Sequence, residues 1–206
     1  LRERRVRFSG ELSTGFPKVV GRFITEMVYG VQARQSVRLT EVSRALDESI
    51  PIKRTVERQS RQLGNPKLGA GLTSRLLRLA ADRIRETTLL ILDISDVHKK
   101  YAKKLEHLGQ VWDGSAKAKG WGYWMLNILG AEVGSAQVLP LYGRMYSHRA
   151  PEFESENIDL REAIGQVSEV VGRRGIRVID RGGDRRYLYD YLLAKRLKFI
   201  IRLKGV

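Results

Sequence analysis

Thr87-Thr88-Leu89-Leu90-Ile91-Leu92-Asp93 decides the fold of this chain. Leu89 to Leu92 show no apolar/polar alternation, so neither face of a strand built from them would be wetted. A run of that length, apolar on both faces, predicts a central strand covered on both sides. It stops at a carboxylate. A second short run, Ile176–Asp180, also predicts a buried strand that ends in a carboxylate. Between them lie two β-rich runs, Tyr123–Val133 and Ala136–Tyr142, with Glu132-Val133-Gly134-Ser135 near their junction, which predicts a hairpin. Ile158, Leu160, Ile164, Val167 and Val171 make a helical stripe over Ser155–Val171. Arg185–Leu193 predicts a helix and Lys198–Leu203 a strand. From Thr87 onward the order is therefore strand, strand, strand, helix, strand, helix, strand. That is an α/β domain, with residues 94–121 read as a long connection carrying Lys99, Lys100, Lys103 and Lys104.

Upstream the pattern is helical, so the whole chain reads as α+β. Residues 1–15 are basic and aperiodic and predict a loose arm. Val19, Val20, Phe23, Ile24, Met27, Val28 and Val31 fall at helical spacing. Thr40 is a candidate N-cap for a short helix carrying Val42, Ala45 and Leu46. Ser49-Ile50-Pro51 breaks that helix, because the residue before a proline is pushed out of the helical region. A further helix, Lys53–Leu63, has Val56 and Leu63 as candidate inward positions and stops at Gly64-Asn65-Pro66. Residues 37–63 thus read as helix, turn, helix. The second helix carries Lys53, Arg54, Arg58 and Arg61, the charge a major-groove reader needs; an exposed basic face on a helical subdomain has the same composition. Residues 64–74, with three glycines, read as a linker, and a helix over about 74–85 follows. The expected division is an arm (1–15), a helical DNA-binding segment (16–74) and a sheet domain (75–206).

Composition agrees with a polyanionic partner. The 206 residues hold 38 Lys and Arg against 23 Asp and Glu, a net charge of +15. Eighteen basic residues face nine acids in residues 1–86, and twenty face fourteen in residues 87–206, so the charge belongs to folded faces and not to a tail. Counterion release on phosphate binding favours nucleic acid for such a chain. The 42% hydrophobic content supports a real core, and the absence of cysteine excludes disulfides and Cys-ligated zinc. No apolar run reaches the roughly 20 residues that span a bilayer, and no signal peptide is visible, so a cytoplasmic chain without membrane partners is expected.

Ligand groups collect at the carboxyl ends of strands in open α/β sheets. If the strands ending at Asp93 and Asp180 are neighbours, their like charges call for a cation between them, and hard oxygen ligands suit Mg²⁺ or Mn²⁺. The plainer reading makes Asp180 a turn former and Asp184 the cap of the following helix.

Leu90-Ile91-Leu92-Asp93-Ile94-Ser95-Asp96-Val97 resembles the first-aspartate motif of DDE transposases from bacterial insertion sequences, and so does its continuation through the Lys-rich segment, Gly109, Asp113-Gly114-Ser115 and Gly122-Tyr123-Trp124. Val178-Ile179-Asp180-Arg181-Gly182-Gly183-Asp184 resembles the second-aspartate motif, and Phe199–Gly205 the strand after it. The resemblance extends over most of the chain. It implies a mixed-sheet, ribonuclease H-like catalytic domain behind a helical DNA-binding domain. It also implies Mg²⁺- or Mn²⁺-dependent cleavage of transposon-end DNA with strand transfer into target DNA, and a homodimer that pairs the ends. Asp93 and Asp180 map to the first two catalytic, metal-holding aspartates, with Asp96 and Asp184 ranked below them. The family's third acid, a Glu on a helix beyond Lys198–Leu203, has no counterpart before Val206, so the catalytic domain reads as C-terminally incomplete and this polypeptide alone is expected to cleave weakly or not at all. A non-catalytic DNA-binding remnant or regulator is the alternative; a nuclease of the same fold is a third reading.

Lys53, Arg54, Arg58, Arg61, Lys99, Lys100, Lys103 and Arg181 are the candidate DNA contacts, although solvated charge or a carboxylate partner explains such residues as well. Trp112, Trp121 and Trp124 fit either base stacking or core packing, with core favoured for Trp124. His148 and Arg149 follow a strand, in a loop that could approach DNA.

Overall fold

The computed structural model describes residues 2–102, 104–113 and 117–205. It is α/β overall, helices first and then a six-stranded mixed sheet. The chain forms two compact units, Leu1–Arg75 and Leu76–Val206. No helix among the described residues is long and apolar enough to cross a membrane.

The first unit holds α1 (Arg2–Ser13), α2 (Lys18–Arg34), α3 (Leu39–Leu46), α4 (Ile52–Leu63) and the start of α5 (Leu68–Ala81). Successive helices pack on one another from α1 to α4. The apolar stripe of α2 buries Val20, Phe23 and Ile24, as its spacing requires. Between α3 and α4 the chain turns through Asp47, whose φ of 47° is left-handed, and Pro51 precedes the first residue of α4.

Four expectations for this unit need correction. Residues 1–15 are no loose arm: most of them form α1, whose Ser9 and Leu12 are buried. It lacks an apolar period and is held by polar ties instead. Arg7 donates to Glu11 (3.0 Å), Ser13 to the Ser9 carbonyl (2.6 Å), and Arg75 to the Glu11 carbonyl (2.8 Å). Thr40 does not cap α3, because the helix starts at Leu39, two residues earlier than such a cap requires, after Arg38 and without a side-chain cap. The inward residues of α4 are Thr55 and Gln59, while Leu63 is 52% exposed. The supposed linker is mostly helix, since α5 begins at Leu68. Gly71 lies within it for packing: a Cβ there would come 2.6 Å from Cζ of Phe16, so glycine admits the ring.

The second unit is built on β1 (Leu89–His98), β2 (Gly109–Asp113), β3 (Ala118–Ala131), β4 (Val138–Tyr146), α6 (Glu156–Val171), β5 (Ile176–Ile179), α7 (Arg186–Ala194) and β6 (Lys198–Ile201). The sheet runs β4-β3-β1-β5-β6. β3 is antiparallel to both of its neighbours, β4 and β1, and β1, β5 and β6 are parallel. β2 pairs with the first residues of β3. Residues 94–121 are therefore not one long connection: β1 runs on to His98, and β2 and the start of β3 lie within that span. β1 is central in pairing but is not covered on both faces. Leu90 and Leu92 are 1% and 4% exposed in the core against Leu160, Ile164, Val167, Leu188 and Leu192, whereas Ile91 is 36% exposed.

Ser155 caps α6, its side chain accepting from the Ile158 amide. At the other end the buried Arg177 of β5 satisfies the carbonyls of the turn that follows the helix. Its guanidinium donates to the carbonyls of Gly172, Arg173, Arg174 and Gly175 and to Ser168 Oγ, over 2.9–3.2 Å. This explains why a strand buried at that end tolerates an arginine. Arg177→Met would leave those carbonyls unpaired and is expected to cost on the order of 3 kcal/mol in urea unfolding; a loss under about 0.5 kcal/mol would show that water replaces the guanidinium without penalty.

Candidate functional site

β1 and β5 pair in parallel from Leu89↔Ile176 to Leu92↔Ile179. The next residue of each is an aspartate, so Asp93 and Asp180 stand side by side where the shared ladder ends, on strands about 4.8 Å apart. Both are exposed. Alternation turns Asp93 away from the face that buries Leu92 and toward the face it shares with Asn127, its partner on β3. Each carboxylate is steered by one local hydrogen bond. Ser95 Oγ donates to Asp93 Oδ2 at 3.0 Å, and the Gly182 amide donates to Asp180 Oδ1 at 2.8 Å. The second bond makes Asp180 the cap of the single 3₁₀ turn Arg181–Gly183. Asp93 Oδ1 and Asp180 Oδ2 accept no hydrogen bond among the described residues.

The nearby acids have other places. Asp96 lies on the Leu90/Leu92 face of β1 by alternation. Asp184 does not cap α7, which starts after Arg185 without a side-chain cap. Its carboxylate instead accepts from Tyr189 Oη (3.1 Å) and from the Lys204 amide (2.7 Å), pinning the chain after β6 to the Asp180 loop. Arg185 fastens the same loop to the start of α6 through Asn157 (2.9 Å) and Glu156. No group of three His, Asp or Glu side chains able to hold a metal occurs among the described residues. Arg181 is exposed beside Asp180.

Lys99 and Lys100 are exposed just past the end of β1. Lys103 lies outside the described residues, as do Gly114 and Ser115 of the first-aspartate motif. In the helical unit, Lys53, Arg54 and Arg61 are exposed on α4, Lys53 standing 4.0 Å from Glu57. Arg58 is not on that open face. Its guanidinium is bonded to both carboxylate oxygens of Glu26 (2.9 and 3.0 Å) and to Glu48 (3.0–3.2 Å), with Arg22 and Thr55 completing the network. The positions of Glu26 and Glu48, 32 and 10 residues away, could not be read from the run of charge on α4. The roles of Ser95, Gly182 and Arg185 were likewise missed by sequence reasoning; Ser95 and Gly182 left a signal, each lying inside an aspartate motif, and Arg185 left none.

The three tryptophans separate. Trp124 packs half-buried against the core, while Trp112 and Trp121 are 53% and 45% exposed.

Among known proteins, the chain matches no family model and no curated sequence.

The Arg58 network gives the helical unit an acid-sensitive element. Hydrogen bonds from Arg58 and Thr55, with the charge of Arg22, hold the Glu48 carboxyl below its ordinary value against the opposing effect of burial. A carboxyl depressed on folding adds stability that is fully present above its unfolded pKa, near 4.5, and is lost as pH falls through the folded value. The unit's urea midpoint is therefore expected to drop below about pH 4.5, and Glu48→Gln is expected to flatten that drop; an unchanged acid limb in Glu48→Gln would contradict this.

Proposed function

We propose that this chain acts in metal-dependent phosphoryl transfer on DNA, as the DNA-binding and catalytic parts of a DDE-type transposase that cuts transposon ends and joins them to target DNA. The observation that carries the reading is the register of β1 and β5, which ends in Asp93 and Asp180 on adjacent strands. The strand order β4-β3-β1-β5-β6 supports it, being that of a ribonuclease H-like domain. So does the net charge of +15 around an acidic pair.

The residues fit a hard divalent cation. Two exposed carboxylates each keep an oxygen that has no hydrogen-bond donor among the described residues, and Mg²⁺ is commonly held by one or two carboxylates together with water and substrate phosphates. Mg²⁺ or Mn²⁺ would supply Lewis acidity toward the phosphate that is cut. Asp93 and Asp180 would hold it, Ser95 and the Gly182 amide fix their rotation, and Arg181 meets a phosphate oxygen. Lys53, Arg54 and Arg61 on α4 bind backbone phosphates of the duplex, and Lys99 and Lys100 at the end of β1 bind DNA phosphates nearer the carboxylate pair. Full cleavage is proposed to need a third carboxylate beside this pair. Transposon-end and target duplexes are the partners, held by a homodimer, in the bacterial cytoplasm at the nucleoid. A second reading, a DNA-binding regulator without catalysis, is favoured by one observation: the basic face of α4 depends on no residue of the carboxylate pair.

Calorimetric titration of Mn²⁺ with a duplex present separates the two. Asp93→Asn and Asp180→Asn are each expected to weaken Mn²⁺ binding by about tenfold or more, roughly 1.4 kcal/mol, while duplex affinity stays within about twofold. Wild-type protein that binds duplex but no Mn²⁺ would support the regulator. Lys53→Ala and Arg54→Ala should each lower the salt slope of duplex binding by about 1; an unchanged slope in both would remove α4 from the interface.

A further inference from the structure

We propose that the far end of the β1–β3 ribbon, with β2, is a binding site for an unpaired stretch of DNA, in which Trp121 and Trp112 stack on bases and Lys100 and Arg149 contact phosphates. β1 continues six residues beyond its last pair with β5, from Asp93 to His98, and β3 extends farther still to pair with β2. On this extension Gln110 opposes Trp121 and Trp112 opposes Lys119. Side chains alternate along a strand, so Trp112, Lys119 and Trp121 share one face. The two indoles are diagonal neighbours, within reach of consecutive stacked bases. Both are about half exposed, which is costly for the largest apolar side chains unless a partner covers them.

Trp121 also walls a cavity of about 670 Å³, large enough for a nucleotide, together with Lys100, Leu105, His107, Leu108 and Arg149. Among the described residues that line it there is no acid; Glu106 stands beside His107, at 3.4 Å. A neutral aromatic hollow would suit an apolar peptide. Cations around an indole suit a planar base with a phosphate attached. The walls are fixed before any ligand arrives. The Lys99 amide donates to the Trp121 carbonyl (2.7 Å), Tyr123 Oη to the Glu106 carbonyl (2.6 Å), and Arg149 Nη1 to the Leu108 carbonyl (3.3 Å). The His98 imidazole lies over Gly120, where a Cβ would meet its Nε2 at 1.5 Å. Arg149 keeps its second terminal nitrogen for the ligand. The exposed ring of Tyr101 stands 5.7 Å from Lys100 Nζ.

Unpaired DNA is the occupant because a duplex hides its base faces, and indoles read those faces. The placement relative to Asp93 rests on the phosphoryl-transfer reading above. Asn127 opposes Asp93, and residues 125, 123 and 121 of β3 follow on the same face. Six residues of strand span about 20 Å. That is the rise of about six nucleotides along one strand of a duplex. A strand held at the carboxylates would therefore present an unpaired nucleotide to Trp121 about six positions away.

The test is fluorescence anisotropy with the whole chain in EDTA, which keeps it independent of metal and cleavage. The probes are a labelled single strand of roughly 12 nucleotides, the blunt duplex of the same sequence and a free mononucleotide. Trp121→Ala is expected to weaken the single strand about tenfold and Trp112→Ala less, while Trp121→Phe retains most of the affinity and duplex binding changes less than about twofold. EDTA removes divalent cations from the assay, so failure of the catalytic reading would not touch the result. The proposal is overturned if Trp121→Ala binds the single strand like the wild type, if it loses single strand and duplex equally, or if the mononucleotide saturates at the same concentration as the strand, which would assign the cavity to a free nucleotide.

Discussion

Leu89 to Leu92 of β1 are hydrogen-bonded on both sides, antiparallel to β3 and parallel to β5, and that double ladder is the constraint from which the second unit follows. The antiparallel partner β3 is reached after β2, which pairs with the first residues of β3, and the hairpin near Gly134 then joins β3 to β4. A parallel partner needs a crossover, and α6 supplies it, covering Leu90 and Leu92 as it returns. Once the parallel ladder stops at Ile179, β5 must leave the sheet. The 3₁₀ turn at Arg181–Gly183 takes it out, and Asp180 caps that turn. β1 does not stop there. It runs on beside β3, so one strand presents both the carboxylate and the basic, aromatic extension beyond it.

The loop that carries Asp180 is short of apolar anchors and is held by ions and hydrogen bonds. Asp184 fastens it to the chain after β6, and Arg185 to the start of α6. Arg177 does the matching work at the far end of α6, where a buried guanidinium answers carbonyls that no side-chain hydroxyl alone could satisfy. In the helical unit Arg58 plays a similar part. Its charge is spent on Glu26 and Glu48, which leaves Lys53, Arg54 and Arg61 as the open cations of α4. Basic residues in this chain therefore serve two ends, internal fastening and an exposed field for a polyanion, and only the fold tells them apart.

Much of this was legible in the sequence wherever one local pattern dominated. The stripe of α6 follows the helical period, β1 is an unbroken apolar run, and the hairpin after Tyr123 has its turn at Gly134; their order pointed to the α/β architecture. α1 and the start of α5 were not legible, because their contacts are polar or depend on glycine admitting Phe16. The extension of β1 was hidden because Ser95, Asp96 and His98 break its apolar run, while the open face at Ile91 could not be told from a covered one by composition. The two aspartates were visible as strand ends. That they stand together is a fact of parallel register between residues 87 positions apart, which no local pattern encodes. The same holds for Trp112 and Trp121, neighbours only once β2 pairs with β3.

The central claim is that Asp93 and Asp180 hold one divalent cation where the parallel ladder of β1 and β5 ends. Hydroxyl-radical cleavage of the polypeptide by Fe²⁺ bound in place of Mg²⁺, with duplex DNA present, tests it without requiring turnover. The account predicts backbone cuts confined to the residues around Asp93 and Asp180, abolished together by Asp93→Asn or by Asp180→Asn and suppressed by excess Mg²⁺. Cuts elsewhere, or cuts at only one strand end that survive both substitutions, would contradict it.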